Sequence, residues 1–383
     1  MSKVDSIAIV WESITGGGVN SYLRYLLKSK SFLNKKITIF TNIENKGAKF
    51  LVKDLSDQKN IEFIFFSSFF VFKRKRSLIE KSIYYFLKPI FLIIAIFKFK
   101  KILSDKNFDV LLCQCGNYGN FRSEQAAILA SKILKITLRV MVVHHECVRP
   151  PLFMGFVFKI IDYFIAKSLT SLISVSKATK ETLVSNSNLL SQNSLNGHVI
   201  HNGVPINKFL RRDYLNLKID EKILKIGMVS RLSTEKGHDD LLLAFSQLPS
   251  NYQKKMIIII VGEDEDGQKE KLINLATKLN LENKIKFLDY VDIDSKKIIL
   301  SLDLLISLTK NYEGFGLSIA EAMSVGTPIL ATDVGGVNEF FSNELGKLIK
   351  HGKTEDIKNS LIDFCDNKSN WVNKANLAKN KIE

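Results

Sequence analysis

Short apolar, β-branched runs alternate with longer segments of helical spacing along the whole chain. As strands, the runs fall at residues 6–11, 36–41, 62–66, 109–113, 138–143, 172–175 and 198–200 in the first half. In the second half they fall at 224–229, 256–261, 285–288, 302–306 and 328–331. Runs such as MIIIIV at 256–261 are unbroken rather than alternating, the mark of parallel strands covered by helices on both faces. Alternation of strands and helices at this spacing predicts two doubly wound α/β domains. The stretch PINKFLRRDYLNLKIDE at 205–221 follows the turn signal Asn202-Gly203 and has little periodicity. It divides an expected N-terminal domain, 1–205, from a C-terminal domain, 206–383. No repeat of fixed period is visible, so the halves read as similar folds rather than copied sequences.

A length of 383 residues exceeds one ordinary core, and 46% hydrophobic content excludes a disordered chain. Four scattered cysteines, Cys113, Cys115, Cys147 and Cys365, suit neither a disulfide framework nor a zinc site and point to a reducing compartment. Cys113 and Cys115 would share a strand face, but no second ligand pair follows, and no metal is expected. MSKVDSIAIVW does not read as a signal peptide. The apolar run PIFLIIAIF at 89–97 is far below the roughly 20 residues a spanning helix needs, so no membrane crossing is expected. A net charge of +16 favours an anionic partner: nucleic acid, phosphorylated substrate or membrane surface.

Three stretches could carry chemistry. Gly16-Gly17-Gly18 lies between a strand and a helix-like segment, where glycine lets backbone approach an anion at the helix N-terminus; a plain tight turn is the alternative. Arg231 and Lys236 follow the strand LKIGMV, at the strand end where open α/β sheets bind ligands. Together they could hold a diphosphate, or they form a solvated basic loop. In EGFGLSIAEAMSVGTP, residues 317–325 read as a helix stopped by Gly326, with Glu313 before its first turn and Glu321 just inside. Helical side chains lean toward the N-terminus, so both carboxylates could flank a diphosphate and accept sugar hydroxyls, with Arg231 and Lys236 offsetting the charge.

Together VSRLSTEKG, IIIIVGEDEDGQKEKL, NKIKFLDYV and EGFGLSIAEAMSVGTPILATDVGGVNE resemble the family 4 glycosyltransferases of the GT-B fold. GGGVNSYLRYLL, SLISVSKATKETL and VIHNGVPINKF fit as well, in order, over nearly the whole chain. The resemblance implies two Rossmann-like domains facing a central cleft, the N-terminal one on the acceptor side and the C-terminal one binding the nucleotide sugar. It implies that Arg231 and Lys236 bind the donor diphosphate, Glu313 the donor sugar and Glu321 the ribose. Backbone at Gly314, Phe315, Gly316 and Leu317 would cradle sugar and phosphate, and Gly17 and Gly18 would approach the phosphate. The reaction would retain anomeric configuration and need no metal or other cofactor. A catalytic histidine is implied after the fifth strand, which ends VVHHEC; His144 or His145 fits, His144 following the apolar run directly. Glu339, after Gly335-Gly336, is a further donor-side candidate. The acidic groups Asp264-Glu265-Asp266 and Asp292-Ile293-Asp294 read as loop residues rather than metal ligands. One departure stands at the end: the chain stops at ANLAKNKIE soon after Trp371, so the returning C-terminal helix of the family is expected to be short or missing.

Lys73, Arg74, Lys75 and Arg76 sit among aromatics between Phe63 and Lys101, a composition suited to anionic lipid; a helix with one face in the core is the alternative. The expected function is therefore a retaining transfer from a nucleotide sugar to a lipid-linked glycan in surface polysaccharide synthesis (O-antigen, lipopolysaccharide, capsule or exopolysaccharide). The protein is expected to be cytoplasmic and peripheral at the inner face of the cell membrane. A GT-B sugar-nucleotide epimerase is the rival enzyme. A basic nucleic-acid-binding protein is the rival without chemistry, but no binding module is recognisable and nucleic acid is not an expected partner.

Overall fold

The structure is a computed structural model covering the chain. It describes all residues except 1–3, 15, 69, 71–77, 121, 192–194, 196, 207–208, 210–213, 266, 290–293 and 383, together with the side chains of 78, 79, 81, 82, 85 and 152. The chain divides into two units, Met1–Asn202 and Gly203–Glu383.

In the first unit seven strands form one parallel sheet: β1 (Ser6–Trp11), β2 (Lys36–Asn42), β3 (Ile61–Phe66), β4 (Val110–Cys115), β5 (Leu138–Val143), β6 (Ser171–Ser174) and β7 (Gly197–Val199). Their order is β3-β2-β1-β4-β5-β6-β7, so the chain reverses direction across the sheet between β1 and β4. The connecting helices are α1 (Gly18–Leu27), α2 (Lys46–Asp54), α3 (Leu78–Ser104), α4 (Ser123–Ile133), α5 (Gly155–Ser168) and α6 (Lys177–Asn186). One face of the sheet is covered by α1 and α2 through Leu23, Leu27, Ala48 and Leu51. The other is covered by α3, α4 and α5 through Leu92, Phe99, Ile128 and Ile165. Burial on both faces is why these strands read as unbroken apolar runs. Pro89 lies inside α3, where its missing N–H removes one bond of the helical ladder.

The second unit has six parallel strands, β8 (Leu224–Val229), β9 (Met256–Val261), β10 (Ile285–Leu288), β11 (Leu304–Ser307), β12 (Ile329–Thr332) and β13 (Lys347–Ile349). Their order, β10-β9-β8-β11-β12-β13, reverses between β8 and β11. Its helices are α7 (His238–Ser246), α8 (Ser250–Gln253), α9 (Gln268–Lys278), α10 (Ser295–Leu300), α11 (Leu317–Val325), α12 (Thr354–Asp366) and α13 (Lys368–Ile382). Ala378 and Ile382 of α13 pack with Ile319 and Met323 of α11.

Strands predicted at 6–11, 138–143, 224–229, 256–261 and 285–288 match residue for residue, and the others shift by one or two positions. The three-residue edge strand β13 has no counterpart in the hydrophobic pattern, because its Lys347 is exposed and too few residues alternate. Among the described residues no helix is long and apolar enough to cross a membrane. The four cysteines are free thiols, and burial raises the pKa of Cys113 and Cys115.

Candidate active site

In each unit the reversal of strand order opens a crevice at the carboxyl ends of two neighbouring strands, where α/β sheets take their ligands. In the second unit the crevice lies between the loops after β8 and β11. A small pocket there is lined by Ser230, Lys236, Ser307, Thr309, Glu313 and Ser318. Lys236 Nζ donates to Glu313 Oε2 at 2.6 Å and lies 3.3 Å from Thr309 Oγ1; Thr309 Oγ1 donates to the same carboxylate oxygen at 2.9 Å. Two loops far apart in sequence are thus joined at one oxygen.

Glu313 is held by its backbone too. Gly336 N–H donates to the Glu313 carbonyl at 2.9 Å, and Gly335, at φ 58°, packs so closely that a Cβ there would lie 2.1 Å from that oxygen. After Gly314 and the buried Phe315, whose ring stacks on Phe340 at 4.4 Å, Gly316 adopts φ 92° and caps α11. A helix start leaves its first N–H groups without intrahelical acceptors and concentrates positive potential there. The predicted helix over 317–325 and its stop at Gly326 are both observed. Glu321 is only 3% exposed, on the second turn of α11, deeper than a residue just inside the helix start. Glu339 ends a short turn, Val337–Glu339, that follows the Gly335-Gly336 pair holding Glu313.

Arg231 turns to a carboxylate of its own: its Nη1 donates to Glu265 Oε1 and Oε2 at 3.0 and 3.1 Å. The two loops are stitched by Leu232 N–H to the Glu263 carbonyl and Glu265 N–H to the Leu232 carbonyl. Behind them, His238 at the start of α7 places Nε2 3.2 Å from Ser230 Oγ. Burial lowers its pKa to about 4. The acids first read as loop residues therefore have distinct structural tasks. Asp264 accepts from Lys269 N–H near the start of α9, Asp294 caps α10, and Glu265 engages Arg231. Asp266, Asp292 and Ile293 lie outside the described residues. Among the described residues no three His, Cys, Asp or Glu side chains gather as a metal site.

In the first unit His144 and His145 stand at the carboxyl end of β5, beside β4. His144 Nε2 lies 2.7 Å from Gln114 Oε1, and with that oxygen as acceptor Nε2 carries the proton. The Tyr22 ring meets the imidazole edge-on at 4.8 Å. Desolvation pushes the His144 pKa down to about 3. Asn117 Nδ2 lies 3.2 Å from His145 Nδ1. Gly17 precedes α1 and Gly18 opens it, as the glycine run predicts. Lys73, Arg74, Lys75 and Arg76 lie outside the described residues.

Thr309, Gln114 and Tyr22 were not singled out from the sequence, and Glu265 was read there only as a loop acid. Thr309 and Glu265 follow β11 and β9 within a few residues, a signal visible once those strands are known to flank β8. Nothing local in the sequence marks Gln114 or Tyr22.

Residues 215–382 match the family described as glycosyl transferases group 1. An uncharacterized glycosyltransferase of Methanocaldococcus jannaschii is 30% identical over 206 residues, covering 51% of this chain and 50% of that one. The UDP-Gal:alpha-D-GlcNAc-diphosphoundecaprenol alpha-1,3-galactosyltransferase of Escherichia coli is 28% identical over 240 residues, 59% of each chain. This chain thus spans about half the length of the curated relatives it matches. Among solved structures, Anabaena HepE in complex with UDP and glucose aligns with a TM-score of 0.73 at 20% identity, covering 99% of this chain and 94% of that one. WaaG, a glycosyltransferase involved in lipopolysaccharide biosynthesis, aligns at 0.66 and 14% identity over 98% and 95%. The second unit thus matches the glycosyl transferases of group 1, and the chain as a whole has the GT-B fold.

Proposed function

We propose that this protein is a retaining glycosyltransferase that moves a sugar from a nucleotide sugar to a hydroxyl of a lipid-linked glycan. The single observation that carries this reading is the Lys236–Glu313 pair set beside the N-terminus of α11, at the strand-order reversal of the second unit. A diphosphate seated there meets the amides of Gly316 and Leu317, the Lys236 ammonium and the Arg231 guanidinium. Each cation is already matched to a carboxylate, so the arriving diphosphate takes over part of that pairing. Glu313, released from Lys236, turns its oxygens to the sugar hydroxyls, and Glu321 takes the ribose. Backbone at Gly314 and Phe315 completes the cradle, and Glu339 steadies the turn behind it. Catalysis rests on stabilising the leaving diphosphate while the acceptor hydroxyl attacks the same face of the sugar.

In this reading 206–383 binds the donor and 1–205 the acceptor. His144 borders the reacting carbon, kept neutral by burial and held in place by Gln114 and Tyr22, while His145 supports the loop after β5; Gly17 and Gly18 approach the phosphate. The Escherichia coli relative named for a diphosphoundecaprenol-linked acceptor supports a lipid-linked acceptor and a place in surface polysaccharide synthesis. The basic segment 73–76 and the charge of +16 support work at the anionic inner face of the cell membrane. HepE, solved with UDP and glucose, supports a uridine donor. The test is a thermal-shift screen of nucleotide sugars on the wild type, Glu313→Ala and Arg231→Ala. Stabilisation by one nucleotide sugar that shrinks in both variants is expected; an equal shift in all three proteins removes the site.

A further inference from the structure

Helix α3 is apolar on two opposite faces. Its inner face, Leu92, Ala95, Phe99 and Leu103, packs in the core of the first unit. Its outer face carries Ile83, Phe86, Ile90, Ile93 and Phe97 at helical spacing, all exposed, Phe86 by 64% and Phe97 by 67%. The alternative reading, a helix with one face in the core, thus holds for Leu92 and Ala95 but not for Ile90, Ile93, Ile94 or Phe97. A second stripe continues the surface: Phe153, then Phe156, Ile160 and Phe164 of α5, with Phe153 exposed by 64% and Phe156 by 75%. The stripes meet where the Phe86 and Phe153 rings lie 5.6 Å apart. Helices apolar on both sides are found buried, so an outer face of this kind asks for a cover.

Charge says what covers it. Lys100 and Lys101 are exposed beside the stripe near the end of α3, and Lys159 and Lys167 are exposed on α5. The acids of these two helices are Glu80, near the start of α3, and Asp162, which is buried and accepts from Tyr118 Oη at 2.7 Å. Aromatic and aliphatic side chains rimmed by lysines match the boundary between acyl chains and anionic headgroups, where lysine stems reach outward along apolar surface. We infer that the outward faces of α3 and α5 together enter the interfacial layer of an anionic bilayer, lying in its plane. This rests on the membrane part of the proposed function and adds an apolar, salt-resistant contact to the electrostatic one at 73–76.

Flotation of the full-length protein with phosphatidylcholine vesicles, with and without phosphatidylglycerol, tests it at low and high salt. The wild type is expected to float with anionic vesicles and to keep part of that binding at high salt. Phe97→Asp with Phe156→Asp is expected to lose about tenfold per substitution, including the salt-resistant part. Replacing residues 73–76 by glutamine should remove only the salt-sensitive part. Unchanged flotation of the double variant alongside loss in the glutamine variant overturns this inference and leaves the electrostatic contact standing. No flotation of the wild type overturns both. A wild-type dimer by light scattering that the double variant breaks, with equal lipid binding, assigns the face to a second copy and also overturns it. All variants are first matched by thermal melting and by the nucleotide-sugar shift. If the aspartates lower stability, Phe97→Ser with Phe156→Ser makes the same comparison.

Discussion

Lys236 Nζ lies 2.6 Å from Glu313 Oε2, joining the loop after β8 to the loop that leads into α11. Both side chains are about four-fifths buried, so the pair is poorly screened and each partner depends on the other. Lys236→Met is expected to weaken UDP binding by about ten- to a hundredfold, the worth of one charge-assisted bond. Glu313→Gln frees Lys236, so UDP binding should hold or tighten while the nucleotide sugar loses its advantage over UDP. Calorimetry with both ligands separates the two roles; equal losses of UDP binding in both variants contradict them.

Glu265 stands as a counter-ion to Arg231 where a diphosphate would compete for the same guanidinium. Both side chains are more than one-third exposed, so the pair is worth little by itself. Glu265→Gln should tighten UDP binding by about two- to fivefold at low salt, and high salt should erase the gain. Weaker binding in this variant would mean that Glu265 positions Arg231 rather than competing for it.

His144 should stay neutral through the whole working range. Its folded pKa is depressed from 6.5 to about 3 by burial. The stability it contributes is therefore present above the unfolded value and is lost as pH falls through the window between the two. Nitrogen-resolved NMR should find the proton on Nε2 and no His144 titration between about pH 5 and 8. Gln114→Leu should free the ring from its fixed tautomer and lower kcat more than it raises KM, while burial keeps His144 from titrating in this range.

Glu124 gives the opposite slope. It is fully buried at the start of α4, with its Oε1 accepting from Glu12 N–H at 3.0 Å, and Glu12 accepts from Ser123 N–H and Oγ. Burial first, and the Glu12 carboxylate second, raise the Glu124 pKa from 4.5 to about 8. The folded state then binds the extra proton, so this contribution is complete below 4.5 and is lost as pH rises through about 8. Glu124→Gln should flatten the fall in Tm between about pH 5 and 8; an unchanged slope would show that the pair holds no proton.

The two sheets were legible because parallel strands buried on both faces leave unbroken runs such as MIIIIV, and because α11 lies between glycines that mark both its ends. The sequence brought Arg231, Lys236 and Glu313 to one place but did not show which cation meets which carboxylate. Spacing in sequence does not say which charges meet when β8 and β11 become neighbours. Glu265 was hidden for the same reason, and Gln114 because an amide at a strand end has no local signal. The outer face of α3 was half read: the apolar run was plain, but which of its sides met the core depended on packing.

Gly335 offers the sharpest test of how the proposed donor site is built. Its φ of 58° is a conformation that costs an L side chain about 1 kcal/mol. Steric crowding adds to this, because a Cβ would stand 2.1 Å from the Glu313 carbonyl oxygen and 2.9 Å from its carbonyl carbon and amide nitrogen. These are backbone atoms, which cannot rotate away as a flexible side chain would. Relief requires moving the Glu313 peptide, and that breaks the Gly336 N–H bond to it and pulls the carboxylate from Lys236 and Thr309. Gly335→Ala is therefore expected to cost about 2–4 kcal/mol in denaturant unfolding of the second unit. It should also weaken nucleotide-sugar binding more than Glu313→Gln does, since the whole loop into α11 shifts. A variant that is destabilised yet binds the nucleotide sugar as the wild type does would show that Glu313 is held in place by its side-chain bonds alone.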